Sequence, residues 1–278
     1  LAPQLLPVRL LGNGATWRTG LFQVAAVLGP AVGGFIIGIR HSATPAFLLA
    51  AISALVFAYQ AGRMTPRPFE RSLGESPWQR LVAGARFVTQ TRILIAIITL
   101  DMFAVLLGGA TMLLPVFAKD ILHVGPSGLG WLMAAPSLGA IVVAIVVAYA
   151  PMQRAGRALL WAVSGFGVAT AVFGFSRSFT LSLVALVFVG GFDMVSVIIR
   201  ATLVQVLTPD ELRGRVAAIN ALFIGTSNEL GGFESGAAAA LLGPVWAVVG
   251  GGIGSLVVVA IVALVWPEVR RYGHLHGE

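Results

Sequence analysis

Residues 93–118 read ILIAIITLDMFAVLLGGATMLLPVFA, an apolar run that carries one charge, Asp101, and is bounded by Arg92 and Lys119. Its length matches the ~20 apolar residues with which a helix crosses a bilayer. Seven more runs of this kind flank it: Ala15–Ile39, Thr44–Ala61, Gly128–Ala150, Ala158–Phe175, Phe179–Ile199, Val216–Leu242 and Pro244–Trp266. The basic residues between them alternate. One set of ends holds Arg9, then Arg63, Arg67, Arg71, Arg80, Arg86 and Arg92, then Arg154 and Arg157, then Arg200, Arg213 and Arg215, then Arg270 and Arg271. The other holds Arg40, Lys119 and Arg177, and Arg18 lies just inside the first span. Lys and Arg in short loops are retained on the cytoplasmic side, so the rich set, the long central connection and the C-terminus are expected to be cytoplasmic. All eight spans obey this one assignment. The expected fold is an all-α polytopic membrane bundle, since helices satisfy their own backbone in lipid.

Composition narrows the function. The chain is 58% hydrophobic and 10% charged, unlike a soluble domain. Its net charge of +7 follows from topology, and no basic patch with interleaved aromatics points to nucleic acid. The absence of cysteine excludes disulfides and thiolate metal sites, and neither a metal nor a cofactor is expected. No cleavable signal peptide is visible at the N-terminus. Lys119, the single lysine, is not in a phosphate-binding Gly-rich loop, which argues against an ATP-driven pump built on this chain.

Turn residues divide the spans. Gly243-Pro244 turns the seventh into the eighth and Pro267 ends the eighth. Thr208-Pro209-Asp210-Glu211 predicts a helix start, with Thr208 as cap, Glu211 closing a capping box and Pro209 in the first turn. The connection Arg63–Arg92 is polar up to Pro77. After that, Trp78, Leu81, Val82, Ala85 and Val88 recur at helical spacing, which predicts a short helix lying on the inner membrane surface, with a plain linker helix as the alternative.

An internal repeat appears at a shift of 202 positions. It sets Leu5 on Leu207, Pro7 on Pro209, Leu10 on Leu212, Gly12 on Gly214, Ala15 on Ala217, Gly29 on Gly231 and Gly34 on Gly236. Repeated halves of parallel topology are a transporter signature. The first span then repeats as the seventh, so about four spans, on the order of a hundred residues, are expected upstream of Leu1 in a parent of about twelve. The chain, which begins without Met in what reads as a loop, is expected to hold the last eight.

Gly29-Pro30-Ala31-Val32-Gly33-Gly34 resembles the Gly-Pro-x-x-Gly-Gly core of the fifth-helix motif in antiporters of the major facilitator superfamily. Thr202-Leu203-Val204-Gln205 with Pro209-Asp210-Glu211-Leu212-Arg213-Gly214-Arg215-Val216 resembles the loop before the eleventh helix in the enterobactin-exporter-like branch of bacterial efflux proteins. Ser227-Asn228-Glu229-Leu230-Gly231 and Phe233-Glu234-Ser235-Gly236 fit one subgroup of that branch, in which Gly232 is more often acidic. The resemblance covers essentially the whole chain as helices five to twelve. It implies that residues 1–62 end the N-terminal transporter half, 63–92 form a central cytoplasmic loop, and 93–278 form a six-helix C-terminal half. It also implies a multi-pass protein of the bacterial inner membrane. The family's loop between helices two and three is not in this sequence; Arg154-Ala155-Gly156-Arg157 is a weak echo of it.

Four acids fall inside spans: Asp101, Asp193, Glu229 and Glu234. A charge at mid-bilayer costs roughly 2.5–3.5 kcal/mol on insertion scales, so such residues face a cavity or a partner and often have a function. Asp101 lies about 12 Å into its span at ~1.5 Å per residue. The resemblance puts these acids on helices seven, ten and eleven, which line the cavity or the inter-half interface; the second, fifth and eighth spans carry no acid. Gly190, Asp193, Ser196 and Arg200 share a stripe, with Arg200 placed either to snorkel or to relay charge to Asp193. Glu229 shares a face with Gly225, Gly232 and Gly236, which predicts a close helix contact, and Glu234 shares another with Asn220 and Ser227. Asn13, Thr16, Gly20 and Gln23 form a polar stripe in the first span. Gln23, Asn220, Ser227 and Asn228 are thus cavity candidates, although such residues more often bind helix to helix. Gly29, Pro30, Gly33 and Gly34 read as a kinked packing site; the resemblance implies a hinge that governs leakage and direction.

These readings lead to a secondary active exporter of small molecules, driven by proton entry through alternating access. Its expected partners are the lipid bilayer, protons and a small-molecule substrate, siderophore-like or drug-like by resemblance. A truncated non-transporting remnant, or a half-transporter needing a partner chain, is the alternative. A remote one is an intramembrane serine protease, because Gly125-Pro126-Ser127-Gly128 matches Gly-x-Ser-Gly. His41, His123, His274 and His276 all lie outside the spans, leaving Ser127 without a base, and Ser127 reads better as a cap.

Overall fold

The computed structural model describes residues 11–64, 77–149, 154–271 and 273. Arg9, Arg67, Arg71, His274, His276 and the Leu5, Pro7 and Leu10 positions of the repeat lie outside the described residues. So do the side chains of Asn13, Thr16, Arg18, Trp78, Arg80, Leu81, Asp210 and Arg271. Every regular element among the described residues is helical: α1 Leu11–Arg40, α2 Thr44–Gly62, α3 Pro77–Gln90, α4 Arg92–Leu107, α5 Gly125–Tyr149, α6 Ala155–Phe175, α7 Phe179–Leu207, α8 Asp210–Leu242, α9 Pro244–Val265 and the short α10 Pro267–Arg271. Between α4 and α5 the chain passes through a 3₁₀ turn (Ala110–Leu113), one α turn (Leu114–Val116) and a π turn (Phe117–Ile121).

Seven of the eight expected spans are long and apolar enough to cross a membrane. The other, α8, is long enough at 33 residues but is not apolar enough, since it carries Asn220, Ser227, Asn228, Glu229, Glu234 and Ser235. The apolar outside fits lipid: Phe57, Tyr149, Trp161, Phe233 and Leu264 are all largely exposed. α2 is apolar throughout and has no buried residue among the described ones.

Two apolar clusters hold the bundle at different depths. One gathers Leu94, Ile97 and Leu100 of α4, Leu159 of α6, Ile199 and Leu203 of α7, and Val216 and Ile219 of α8. The second gathers Leu114 and Phe117 after the break, Leu132 of α5, Phe173 of α6, Leu186 of α7 and Val248 of α9. Residues 105–109 of the α4 end, Pro136, Phe166 and 189–196 fall between the two levels. Asp193 lies in that gap, and Asp101 and Arg200 lie at its edge beside Leu100 and Ile199 of the first cluster.

Small residues let the helices approach closely, the usual basis of packing in a bilayer. A Cβ on Gly167 would come 2.7 Å from the Gly252 carbonyl and one on Gly252 2.6 Å from that of Gly167, so α6 and α9 meet backbone to backbone. α1 packs on α5 in the same way: a Cβ on Gly34 would lie 2.6 Å from the Pro126 carbonyl and 2.8 Å from the Gly130 Cα. Gly38 meets the Ser127 hydroxyl. Within the hinge motif, Gly29 and Gly33 have open space around them, so the packing falls to Gly34 and the Pro30 carbonyl, which faces Gly130. Gly34→Ala is expected to lower stability by about 1–3 kcal/mol, as overpacking does. Gly33→Ala should shift it by less than ~0.5 kcal/mol. Unfolding of the two variants in mixed micelles separates these outcomes.

Three local expectations are corrected. The third span does not run unbroken to Ala118: α4 ends at Leu107, with Gly108 as its C-cap. The capping box before α8 does not form, because Pro209 is the N-cap residue with no side-chain cap bond and the buried Thr208 hydroxyl finds no partner. Ser127 is not a cap but sits inside the first turn of α5, its hydroxyl donating to the Gly34 carbonyl at 3.4 Å. Beside these, α3 is a helix as expected, and its stripe divides: Val88 is 4% exposed, Ala85 and Phe87 join the same core and Gly84 lies against the Arg215 backbone, whereas Val82 is exposed.

Candidate functional site

Asp101 on α4 and Arg200 on α7 form an ion pair, Nη1 to Oδ2, at 7% and 6% exposure. The Arg200 Nε also donates to the Ser196 carbonyl at 3.3 Å, one turn back on the same helix. Arg200 therefore neither snorkels to the surface nor stands free. A buried charge is tolerated when it is paired, and the Asp101–Arg200 pair meets that condition. Ser196 is buried as well.

Asp193 lies two turns before Arg200 on the stripe that the helical phase predicts. It is half-buried and faces two adjoining voids. The smaller, about 10 Å³, is bounded by Asp101, Asp193, Ser196, Phe166 and Phe192. The larger, about 150 Å³, is lined by Asp193, Phe166, Pro136, Thr111, Met112 and Asn228 among others. Val105, Phe166 and Asp193 are common to both, so the ion pair and the larger cavity meet at Asp193.

Backbone features shape this cavity. At the α4 break the Gly108 N–H donates to Ala104 O at 2.8 Å and the Ala110 N–H to Gly108 O at 2.6 Å, which closes the helix one turn below Met112. Gly231 of α8 comes so near that a Cβ there would lie 3.0 Å from the Val105 carbonyl, and one on Gly251 of α9 would strike that of Leu107. Pro136 lies inside α5, and Gly190 admits its carbonyl against α7.

The other candidates are placed less centrally. Asn228 is exposed at the cavity mouth. Ser227 is buried and donates to Phe223 O at 2.7 Å, so it serves its own helix. Glu234 is half-buried and takes a long 3.5 Å contact from the Ser235 hydroxyl. Gln23 and Asn220 are half-buried and line neither void. Among the described residues Glu229 is exposed and Gly225 and Gly236 on its face have open space, while a Cβ on Gly232 would lie 3.4 Å from Met112 Cγ. The packed face of α8 is instead that of Gly231 and Ser235. In the loop motif Glu211 and Arg213 are exposed, Arg215 is half-buried under α3, and Gly214 is open. Thr111, Met112, Pro136 and Phe166 were missed in the sequence; Gly108-Gly109 and the proline inside a span were the available signals.

The sequence profile of the Major Facilitator Superfamily matches residues 1–232. The chain belongs to this superfamily. Among curated relatives, this major facilitator chain is 26% identical over 253 residues to the proteins named Enterobactin exporter EntS from Escherichia coli strain SE11, Shigella boydii serotype 18 and Escherichia fergusonii. Each alignment covers 90% of this chain and 60% of the relative, so the chain spans well under two thirds of the length of these relatives. Superfamily membership and the apolar helices identify a multi-pass membrane protein of a transporter family.

Proposed function

We propose that the gene product containing this chain is a secondary active exporter of small molecules that couples export to proton entry by alternating access in the bacterial inner membrane. In this reading the eight spans are the fifth to twelfth helices of the fold, residues 1–62 end one half, 63–92 join the halves and 93–278 form the other. The arginine-rich ends, the C-terminus and the central connection are cytoplasmic. The observation that carries the reading is the Asp101–Arg200 pair next to a second acid, Asp193, on a shared void. With both acids ionised, two carboxylates and one guanidinium leave one negative charge to balance. In a low-dielectric bundle a proton or a cation meets that need, and its exchange with water on either side is what coupling requires.

Glu229, Gly225 and Gly236 make an open face on α8. Further helices, supplied by the same gene product or by a partner chain, would cover it; this observation favours the half-transporter as the second reading.

The test is transport by the native gene product in proteoliposomes under an imposed pH gradient, with enterobactin and ethidium as trial solutes. Asp101→Asn and Asp193→Asn are each expected to reduce pH-driven export at least ten-fold. Unchanged export in both variants removes the proton-relay assignment.

A further inference from the structure

We propose that the groove between α6 and α7 binds an anionic phospholipid, with one acyl chain lying in the groove and the phosphodiester on Arg154 and Arg157. This goes beyond the exporter reading and needs only a chain embedded in a bilayer.

The groove has a volume of about 780 Å³ and is separate from the acid site. Phe192 borders both the groove and the small void at Asp101, and so stands between them. Its ring rests on α6 at Gly165, where a Cβ would come within 2.6 Å of it. The floor is made of small buried residues, Ala162, Ala169 and Ala185. The rims are large and exposed: Trp161 and Val168 on α6, Val184 and Phe188 on α7. Among the described residues no acid, amide or cation lines the groove, and its one hydroxyl, on Ser164, donates to the Leu160 carbonyl at 2.8 Å. A polar solute would lose hydrogen bonds inside it, whereas a hydrocarbon chain has none to lose. The lining runs along α6 from Ala158 to Val172, about 21 Å at ~1.5 Å per residue, and one leaflet of the hydrocarbon core is about 15 Å deep. An acyl chain can therefore lie in it from the interface to mid-bilayer.

Charge decides the headgroup and its end of the groove. Arg157 shares the face of α6 that carries Trp161 and Val168, and Arg154 is one turn before Ala158. Both arginines are exposed, and neither has a side-chain partner among the described residues. α10 packs on the same end of α6, where the Ala155 N–H donates to Gly273 O at 3.2 Å, and it adds the exposed Arg270. The acid of α10, Glu268, is held by Arg92 at 3.3 Å. The opposite end of the groove has one arginine, Arg177. Trp161, largely exposed one turn from Arg157, is the kind of aromatic that sits at a membrane–water interface. An apolar recess that ends at adjacent cations matches a lipid with a negatively charged headgroup.

The experiment is native mass spectrometry of the native gene product released from nanodiscs holding equal amounts of phosphatidylglycerol and phosphatidylcholine with the same acyl chains. Retained phosphatidylglycerol is expected to exceed phosphatidylcholine at least ~five-fold. Arg154→Gln with Arg157→Gln should bring the ratio near one, and Arg154→Lys with Arg157→Lys should keep it, which separates charge from folding. Val184→Trp, which fills the groove from its exposed rim, should lower retention of both lipids several-fold. A ratio unchanged by the two glutamines, retention unchanged by Val184→Trp, or a dimer mass that excludes lipid overturns the site. None of these readouts depends on pH-driven export, so the site and the exporter reading fail separately.

Discussion

Arg200→Met is expected to lower the stability of the protein by about 3–5 kcal/mol, because it leaves the Asp101 carboxylate buried with no partner. The attraction between the two side chains is not what sets this figure. Moving both charges out of water is itself costly, and a well-packed apolar substitute for a buried pair is often neutral or more stable by about 1–4 kcal/mol. The damage comes from breaking the pair unevenly. Asp101→Leu combined with Arg200→Met should therefore recover much of what Arg200→Met loses, since Leu94, Ile97, Leu100 and Leu159 already surround this level of the bundle. Asp101→Asn should be milder than Arg200→Met, because the guanidinium keeps the Ser196 carbonyl as acceptor.

Equilibrium unfolding in mixed micelles, followed by tryptophan fluorescence, gives the four corners of a double-mutant cycle. A coupling energy within ~0.5 kcal/mol of zero would mean that the pair does not form in the membrane-embedded protein. Under the proposed function the stable double variant should still fail to export under a pH gradient. Stability and coupling then separate: the pair can be replaced as a structural element but not as a carrier of charge.

Spans were legible because they are one-dimensional: an apolar run has a length. The stripe Gly190, Asp193, Ser196 and Arg200 was legible for a similar reason, since helical phase decides which side chains share a face. Phase does not decide what covers that face. Asp101 and Arg200 come from helices distant in sequence, and no local pattern encodes their meeting. The same limit holds for α3, whose apolar stripe required a cover but did not name α8 as one. Thr208 failed as a cap through backbone geometry: it is extended, with Pro209 taking the half-helical position, and its hydroxyl is buried away from the first N–H groups. Gly108-Gly109 was a readable break, overlooked because the apolar run continues past it.

Gly190→Ala and Gly139→Ala are each expected to destabilise the α5–α7 crossing by about 2–3 kcal/mol, far more than the helix propensity gained. The two positions are reciprocal. A Cβ on Gly190 would collide with the Pro136 carbonyl of α5, and a Cβ on Gly139 would collide with the Val187 carbonyl of α7, with Val187 C at 2.8 Å and Gly191 N at 2.9 Å. The obstructing atoms are backbone, so no side chain can turn aside, and relief requires the helices to separate. Once one methyl has forced them apart, the second fits in the gap, so the double variant should lose clearly less than the sum of the two. Gly250→Ala on α9, with open space around it, is the control and should cost less than ~0.5 kcal/mol. A Gly190→Ala protein that unfolds at the parental detergent fraction would show that α5 and α7 do not cross this closely.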